Sequence, residues 1–241
     1  MINSYVALDL ETTGIDPSRD KIIEIGMARV IDGKITDTYS QLFDPHVRLN
    51  DRIVNLTGIS NEMLNGMPDI NENINEIMDF IGELPLLGHN IIFDYSFLKK
   101  AAVNNSMTFE KNGIDTLKIA RRLLNNLEHK NLEYLCRYFE IDPGDSHRAL
   151  SDALSARKLY ERLYSINPDD TGFKETVQLN YSVKKDTPIT AAQKRYLGSL
   201  TAYYNVKLEK EIDVLTKSEA SRIIDGIISE YGKMPYSNRK N

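Results

Sequence analysis

The period of apolar and polar positions changes several times along the chain. Residues 4–11 (SYVALDLE) are rich in β-formers and stop at the turn signal TTGIDP, which predicts a strand. Residues 21–43 hold two alternating apolar runs joined across Asp32-Gly33, a strong hairpin signal. The first three strands should therefore form an antiparallel meander. INENINEIMDFIGEL then places Ile70, Ile74, Ile77, Met78 and Ile81 on one face at helical spacing. LPLLGHN is a short continuous apolar run, as expected of a strand covered on both faces. A helical period resumes in FDYSFLKKAAVNN and again in IDTLKIARRLL, NLEYLCRYFEI and RALSDALSARKLYERLYSI, with GID at 113–115 as a last short strand. A meander followed by strands alternating with helices predicts an α/β sheet layered by helices.

After Ile166 the periodicity stops. Residues 167–187 are polar with turn formers at both ends and read as a linker; within them Gln178-Leu179-Asn180-Tyr181 has poor spacing for a clamp-binding peptide. ITAAQKRYLGSLTAYYNV and LTKSEASRIIDGIISEYG each predict an amphipathic helix, the second opening on a capping-box pattern, Thr216 to Glu219. The organisation expected is a domain over 1–166, a linker over 167–187 and a small helical module over 188–235. A module of this size rarely sustains a core alone, so docking on protein or nucleic acid is expected of it.

Composition adds limits rather than an activity. An apolar fraction of 41% and a charged fraction of 27% are those of a globular chain. No apolar stretch approaches the ~20 residues of a membrane span, and no secretory signal pattern opens the chain; a cytoplasmic protein without membrane partners is expected. The single cysteine, Cys136, excludes an internal disulfide. A net charge of −5 argues against binding nucleic acid by bulk electrostatics. The charge is uneven, however: residues 1–173 carry 18 Lys and Arg against 27 Asp and Glu, while residues 174–241 carry 12 against 8. An acidic body suits a carboxylate-lined metal site, and Lys184, Lys185, Lys194 and Arg195 in the basic tail could touch a polyanion or simply form a solvated face.

Three segments carry candidate chemistry. Asp9 and Glu11, two apart on a strand, project from one face and would repel unless a cation lay between them; the alternative is a strand running out into solvent. Asp94 follows a buried strand at a helix start, where it could be a dipole-favoured charge, but Phe93 and Phe97 flank it with apolar surface. His147 and Asp152 are five apart, awkward within one helix. That spacing works if His147 lies in the loop after Asp142-Pro143-Gly144-Asp145 and Asp152 on the first turns of the helix. Imidazole exchanges protons nearest neutral pH, which suits removal of a proton from water. Each element alone has an ordinary structural explanation.

Together, D-x-E, Asp94 and H-x4-D resemble the DEDDh branch of the DnaQ-like 3′→5′ exonucleases. DLETTG, LTGIS, GHNIIFDYSFL, IDTLKIAR, NLEYLCRYFEI and HRALSDA also look like that family's stretches in the same order, over roughly residues 4–165. The tyrosine marking the sister branch would stand at Arg148, so that branch is disfavoured. The resemblance implies an α/β, ribonuclease-H-like fold with a five-stranded mixed sheet flanked by helices. It implies two Mg2+ or Mn2+ ions per site held by Asp9, Glu11, Asp94 and Asp152, with His147 as general base. It also implies Thr12 and Thr13 at the terminal sugar, Leu56, Thr57, Gly58 and Ile59 against its base, and Asn90 in polar support of the site. For Thr12, Thr13, Leu56 and Thr57, turn chemistry and packing are equally good explanations; His89 fits structure as well as catalysis.

The partner implied is nucleic acid with a free 3′ end, DNA favoured over RNA, with a DNA polymerase or a replication or repair assembly as a protein partner. An exoribonuclease on the same fold and a non-catalytic scaffold subunit are the alternatives. The second would require a degraded site, and all five positions here are of the catalytic type.

Overall fold

The computed structural model describes residues 1–144, 147–208 and 210–234. The chain runs β1 (Tyr5–Thr12), β2 (Ile22–Ile31), β3 (Lys34–Leu42), α1 (Asp51–Thr57), α2 (Asn61–Leu64), α3 (Ile70–Ile81), β4 (Leu86–Gly88) and α4 (Ile92–Asn104). It continues through β5 (Asn112–Asp115), α5 (Thr116–Leu123), α6 (Leu132–Tyr138), α7 (Ala149–Ile166), β6 (Val177–Gln178), α8 (Ala191–Tyr204) and α9 (Lys217–Tyr231). Among the described residues the strands form one mixed sheet of order β3-β2-β1-β4-β5-β6. The first three are the expected antiparallel meander, turning at Asp32 and Gly33, both with positive φ as a tight hairpin turn requires. β4 and β5 add parallel to β1.

Alternation along β1 explains the layers. Tyr5 and Ala7 face a core shared with α5, α6 and α7, through Ile119, Leu135, Ala153, Ala156 and Tyr160. Val6, Leu8 and Leu10 face the opposite core, where Ile77 and Ile81 of α3 meet Tyr95 and Leu98 of α4. The helical spacing predicted for α3 is borne out by buried Ile74, Ile77 and Ile81, and Asp69 and Glu72 close a capping box at its start. Asp9 and Glu11 continue the Tyr5–Ala7 series, so they emerge on the α7 side of the sheet.

Two expectations need correction. The sheet has a sixth strand, because residues 177–178 pair antiparallel with β5. The stretch 167–187 is therefore not a free linker: Phe173 is fully buried against Tyr160 and Tyr164, and Leu179 enters the α3–α4 core with its amide donating to the Lys111 carbonyl. Two well-spaced apolar residues, Phe173 and Leu179, sufficed to anchor a polar and largely exposed stretch. Helices α1 and α2, too short to show a period, were not anticipated.

The chain divides into two compact units, Met1–Val183 and Lys184–Asn241. In the second, α8 and α9 enclose a core of Leu197, Leu200, Leu215, Ala220, Ile224 and Ile227. Thr216 and Glu219 form the expected capping box, and Thr190 with Gln193 forms another. Residue 235, where the module was expected to end, and Asp145 of the loop before His147 lie outside the described residues. Among the described residues no helix is long and apolar enough to cross a membrane.

Candidate active site

Three parts of the fold converge on the carboxyl end of β1. From β1 come Asp9 and Glu11, on the face that receives α7. From α7 comes Asp152, on the first turn of the helix. One carboxylate oxygen from each of the three lies within 4.8 Å of the others. Asp94 arrives from the first turn of α4. β4 pairs with β1 only at Val6 and Ala7, and the Leu10 amide beyond them donates to Asp94 Oδ1 at 3.0 Å. All four carboxylates line one cleft of about 360 Å³, together with His147, Asn90, His89 and Phe93.

The acids strain one another. Burial, then the charges of Asp94, Asp152, Glu11 and Glu24, hold the Asp9 carboxyl well above the usual carboxylate range. Glu11 is pushed up to about 8 by burial and by Asp152 and Glu24. Asp94, only 3% exposed, is raised to about 8 mainly by burial, although its own amide and that of Leu10 favour its ionised form. Asp152 is raised by burial, with His147 opposing the shift. A set of hard oxygen donors that resist ionisation together is one that a divalent cation would relieve. The residues present thus fit a magnesium or manganese site.

His147 lies in the turn before α7 with φ +62°, a left-handed backbone rare for a side-chain-bearing residue. Its amide donates to Asp152 Oδ2 at 3.2 Å, which ties the loop to the carboxylate. The neighbouring His89 is committed elsewhere: its two ring nitrogens contact Thr116 Oγ1 at 2.9 Å and the Lys130 carbonyl at 2.7 Å. Burial lowers its pKa, and its two contacts brace β4, α5 and the 130 loop against one another. Asn90 also has positive φ, and its amide donates to Asp115 Oδ1 at 3.1 Å.

The remaining expected residues do not line this cleft. Thr12 Oγ1 donates to the Gly14 carbonyl, and Thr13 Oγ1 accepts from the Lys21 amide, so both hydroxyls build the β1–β2 turn. Thr57 is buried, donating to the Ile53 carbonyl and accepting from the Ile59 amide. Leu56 is 54% exposed at the end of α1.

A family model described as RNase T, exonuclease, matches residues 6–160. The chain belongs to this exonuclease family. The DnaQ-like resemblance holds among its relatives. Over 178 residues, 74% of this chain, it is 33% identical to a PolC-type DNA polymerase III of Clostridium perfringens, of which it spans only 12%. It is 31% identical to a DNA polymerase III subunit epsilon of Aquifex aeolicus, across 76% of this chain and 89% of that protein. A structure of exonuclease X in complex with 5′ overhanging duplex DNA shares 25% identity at a TM-score of 0.55, covering 69% of this chain and 94% of that one. The ribonuclease-H-like exonuclease fold is thereby shared.

For an exonuclease-family chain, one feature of the cleft's surroundings escaped the sequence reading. Glu24 of β2 is a carboxylate with 1% exposure, paired in register with Glu11 and bound by Arg148. Its signal was available: a lone acid in the apolar run KIIEIGMARV, on a strand expected beside β1.

Proposed function

We propose that this protein is a divalent-metal-dependent 3′→5′ exonuclease that releases 5′-mononucleotides from DNA ends in proofreading or repair. The observation that carries it is the convergence of Asp9, Glu11 and Asp152 oxygens within 4.8 Å, in a cleft also lined by Asp94 and His147. Two Mg2+ or Mn2+ ions held by Asp9, Glu11, Asp94 and Asp152 supply, when bound, the charge stabilisation for in-line displacement at phosphorus.

The protein's own groups perform the rest. His147, on an exposed turn at the cleft, takes the proton from the attacking water. The water oxygen bonds to phosphorus as the bond to the 3′ oxygen of the preceding nucleotide breaks, and that oxygen takes a proton from solvent to become the new 3′-hydroxyl. Asp94, fixed by the Leu10 amide, holds its carboxylate at the β1 end without needing to reorganise. Asn90, on the cleft lining, gives polar support to the terminal nucleotide. Thr12 and Thr13 shape the β1–β2 turn that meets the terminal sugar, and Leu56 and Thr57, at the end of α1, meet the terminal base. The relatives named as DNA polymerase III and the exonuclease solved with duplex DNA support DNA as substrate and a polymerase assembly as partner.

The test is degradation of 5′-labelled single-stranded DNA and RNA with magnesium, with manganese and with excess chelator. A metal-dependent ladder shortening from the 3′ end, faster on DNA and lost in Asp9→Ala, is expected. Preference for RNA would make the chain an exoribonuclease. Absence of cleavage by a folded protein with both metals would leave only the scaffold role.

A further inference from the structure

The start of α7 is held to the sheet by contacts that the proposed chemistry does not use. Glu24 lies among buried apolar residues near the start of β2, and both its oxygens are occupied. Arg148 Nε donates to Oε1 at 3.0 Å and to Oε2 at 3.2 Å, Arg148 Nη2 donates to Oε1 at 2.7 Å, and the Ala149 amide donates to Oε2 at 3.1 Å. A buried carboxylate is tolerated only when it is matched in this way. Two residues along β2, a Cβ on Gly26 would overlap the backbone of Ala149 and Leu150. The helix start therefore rests directly on the strand.

That contact point has His147 on one side and Asp152 on the other. Arg148 immediately follows His147, and the Asp152 amide donates to the Arg148 carbonyl. Asp9 and Glu11 stand opposite Gly26 and Glu24 in the β1–β2 register. Fixing residues 148 and 149 to Glu24 thus fixes Asp152 of α7 and His147 of the turn before it relative to both groups that β1 contributes.

Building on the functional reading above, we propose that Glu24 and Arg148 are positioning residues of the exonuclease site. The planar guanidinium engages the carboxylate with two nitrogens, which defines orientation as well as distance. The pair sets the first turn of α7 so that Asp152 and His147 face Asp9 and Glu11. By occupying both Glu24 oxygens it also keeps this fifth acid out of the metal-ligand set. Ligand sets lose function when such outer contacts go, because sub-ångström placement decides whether all donors reach one ion.

The test uses the full chain in Glu24→Gln, Arg148→Lys and Arg148→Met forms. Mn2+ affinity is measured by titration, and cleavage of a 5′-labelled oligonucleotide gives kcat and KM. Leu163→Ala, a core change in α7 remote from the cleft, is the control for a merely less stable helix. Glu24→Gln and Arg148→Met should each weaken Mn2+ binding or kcat by about 10- to 100-fold. KM should stay within about threefold, since the oligonucleotide's own contacts remain. Arg148→Lys, which keeps the charge and loses the fork, should fall between them and wild type. Leu163→Ala should match wild type in both readouts below its melting temperature. Should Arg148→Met fail to fold, the isosteric Glu24→Gln and the Lys variant carry the comparison. Wild-type protein that binds Mn2+ and cleaves, with Glu24→Gln and Arg148→Lys indistinguishable from it, overturns the positioning role alone. Wild-type protein that binds no Mn2+ overturns the functional reading and the positioning role with it.

Discussion

The Leu10 amide donates to Asp94 Oδ1 over 3.0 Å, joining the first turn of α4 to β1 between Asp9 and Glu11. The contact makes Asp94 at once a partner for a strand amide and one of the acids of the cleft. Those two roles respond differently to substitution.

Asp94→Asn keeps an oxygen for the Leu10 amide but can no longer ionise to bind a cation. It should abolish metal-dependent cleavage while leaving the metal-free melting temperature equal to or above that of wild type. Asp94→Ala leaves the amide without its acceptor and should cost about 1–3 kcal/mol of stability as well. Thermal melts in chelator, beside the cleavage assay, check both. A metal-free Asp94→Asn protein as unstable as Asp94→Ala would show that the contact matters only through its charge.

The cleft should make stability depend on pH and metal together. In the fold Glu11 has a pKa of about 8, against the usual 4.5 of a glutamate in water. Between these values the folded state holds a proton that the unfolded state has released, so stability falls as pH rises through the window. Without metal, the melting temperature of wild type relative to Glu11→Gln should decline from pH 5 to pH 8. Mg2+ or Mn2+ should stabilise wild type more at pH 8 than at pH 5, because binding requires the ionised acids. A gap between the two proteins that is flat across this range would contradict the raised Glu11 pKa.

His147→Ala should lower the single-turnover rate by about 10²- to 10⁴-fold, the usual contribution of a general base. Mn2+ binding should be retained, because Asp9, Glu11, Asp94 and Asp152 remain. Loss of Mn2+ binding in this variant would recast the histidine as a group that holds the loop rather than one that moves a proton.

Gly26→Ala should be among the most damaging single methyl additions in the protein. The Cβ meets the Ala149–Leu150 backbone, which cannot rotate away as a side chain can. Overpacking of this kind costs about 1–3 kcal/mol, to be measured by urea denaturation of the metal-free chain. An unchanged midpoint would show that α7 can lift from β2.

Truncation should separate the two units at a defined place. A chain ending at 183 keeps β6 and Leu179 and should fold and cleave short oligonucleotides, with weaker binding the only expected loss. A chain ending at 173 loses the burial of Leu179, about 1.5–3 kcal/mol for such a side chain, and should melt at a lower temperature. Equal melting temperatures would return 174–183 to the status of a linker.

The local pattern was enough to reveal the strands of the meander, the Asp32-Gly33 turn, the face of α3 and the capping of α9. These depend on residues within one turn or one strand, whose periods can be read directly. The family resemblance carried by D-x-E, Asp94 and H-x4-D likewise pointed to the carboxylates, and strand alternation puts Asp9 and Glu11 on one face whatever surrounds them. What the pattern could not decide was everything that depends on pairs far apart in the chain. Glu24 and Arg148 meet across 124 positions, Leu10 and Asp94 across 84, and Leu179 reaches a core built mainly from residues before 110. His89 fitted structure as well as catalysis until its two ring nitrogens were seen on Thr116 and the Lys130 carbonyl. Partners of a buried polar group come from whichever element the fold brings near, and only the tertiary structure selects that element.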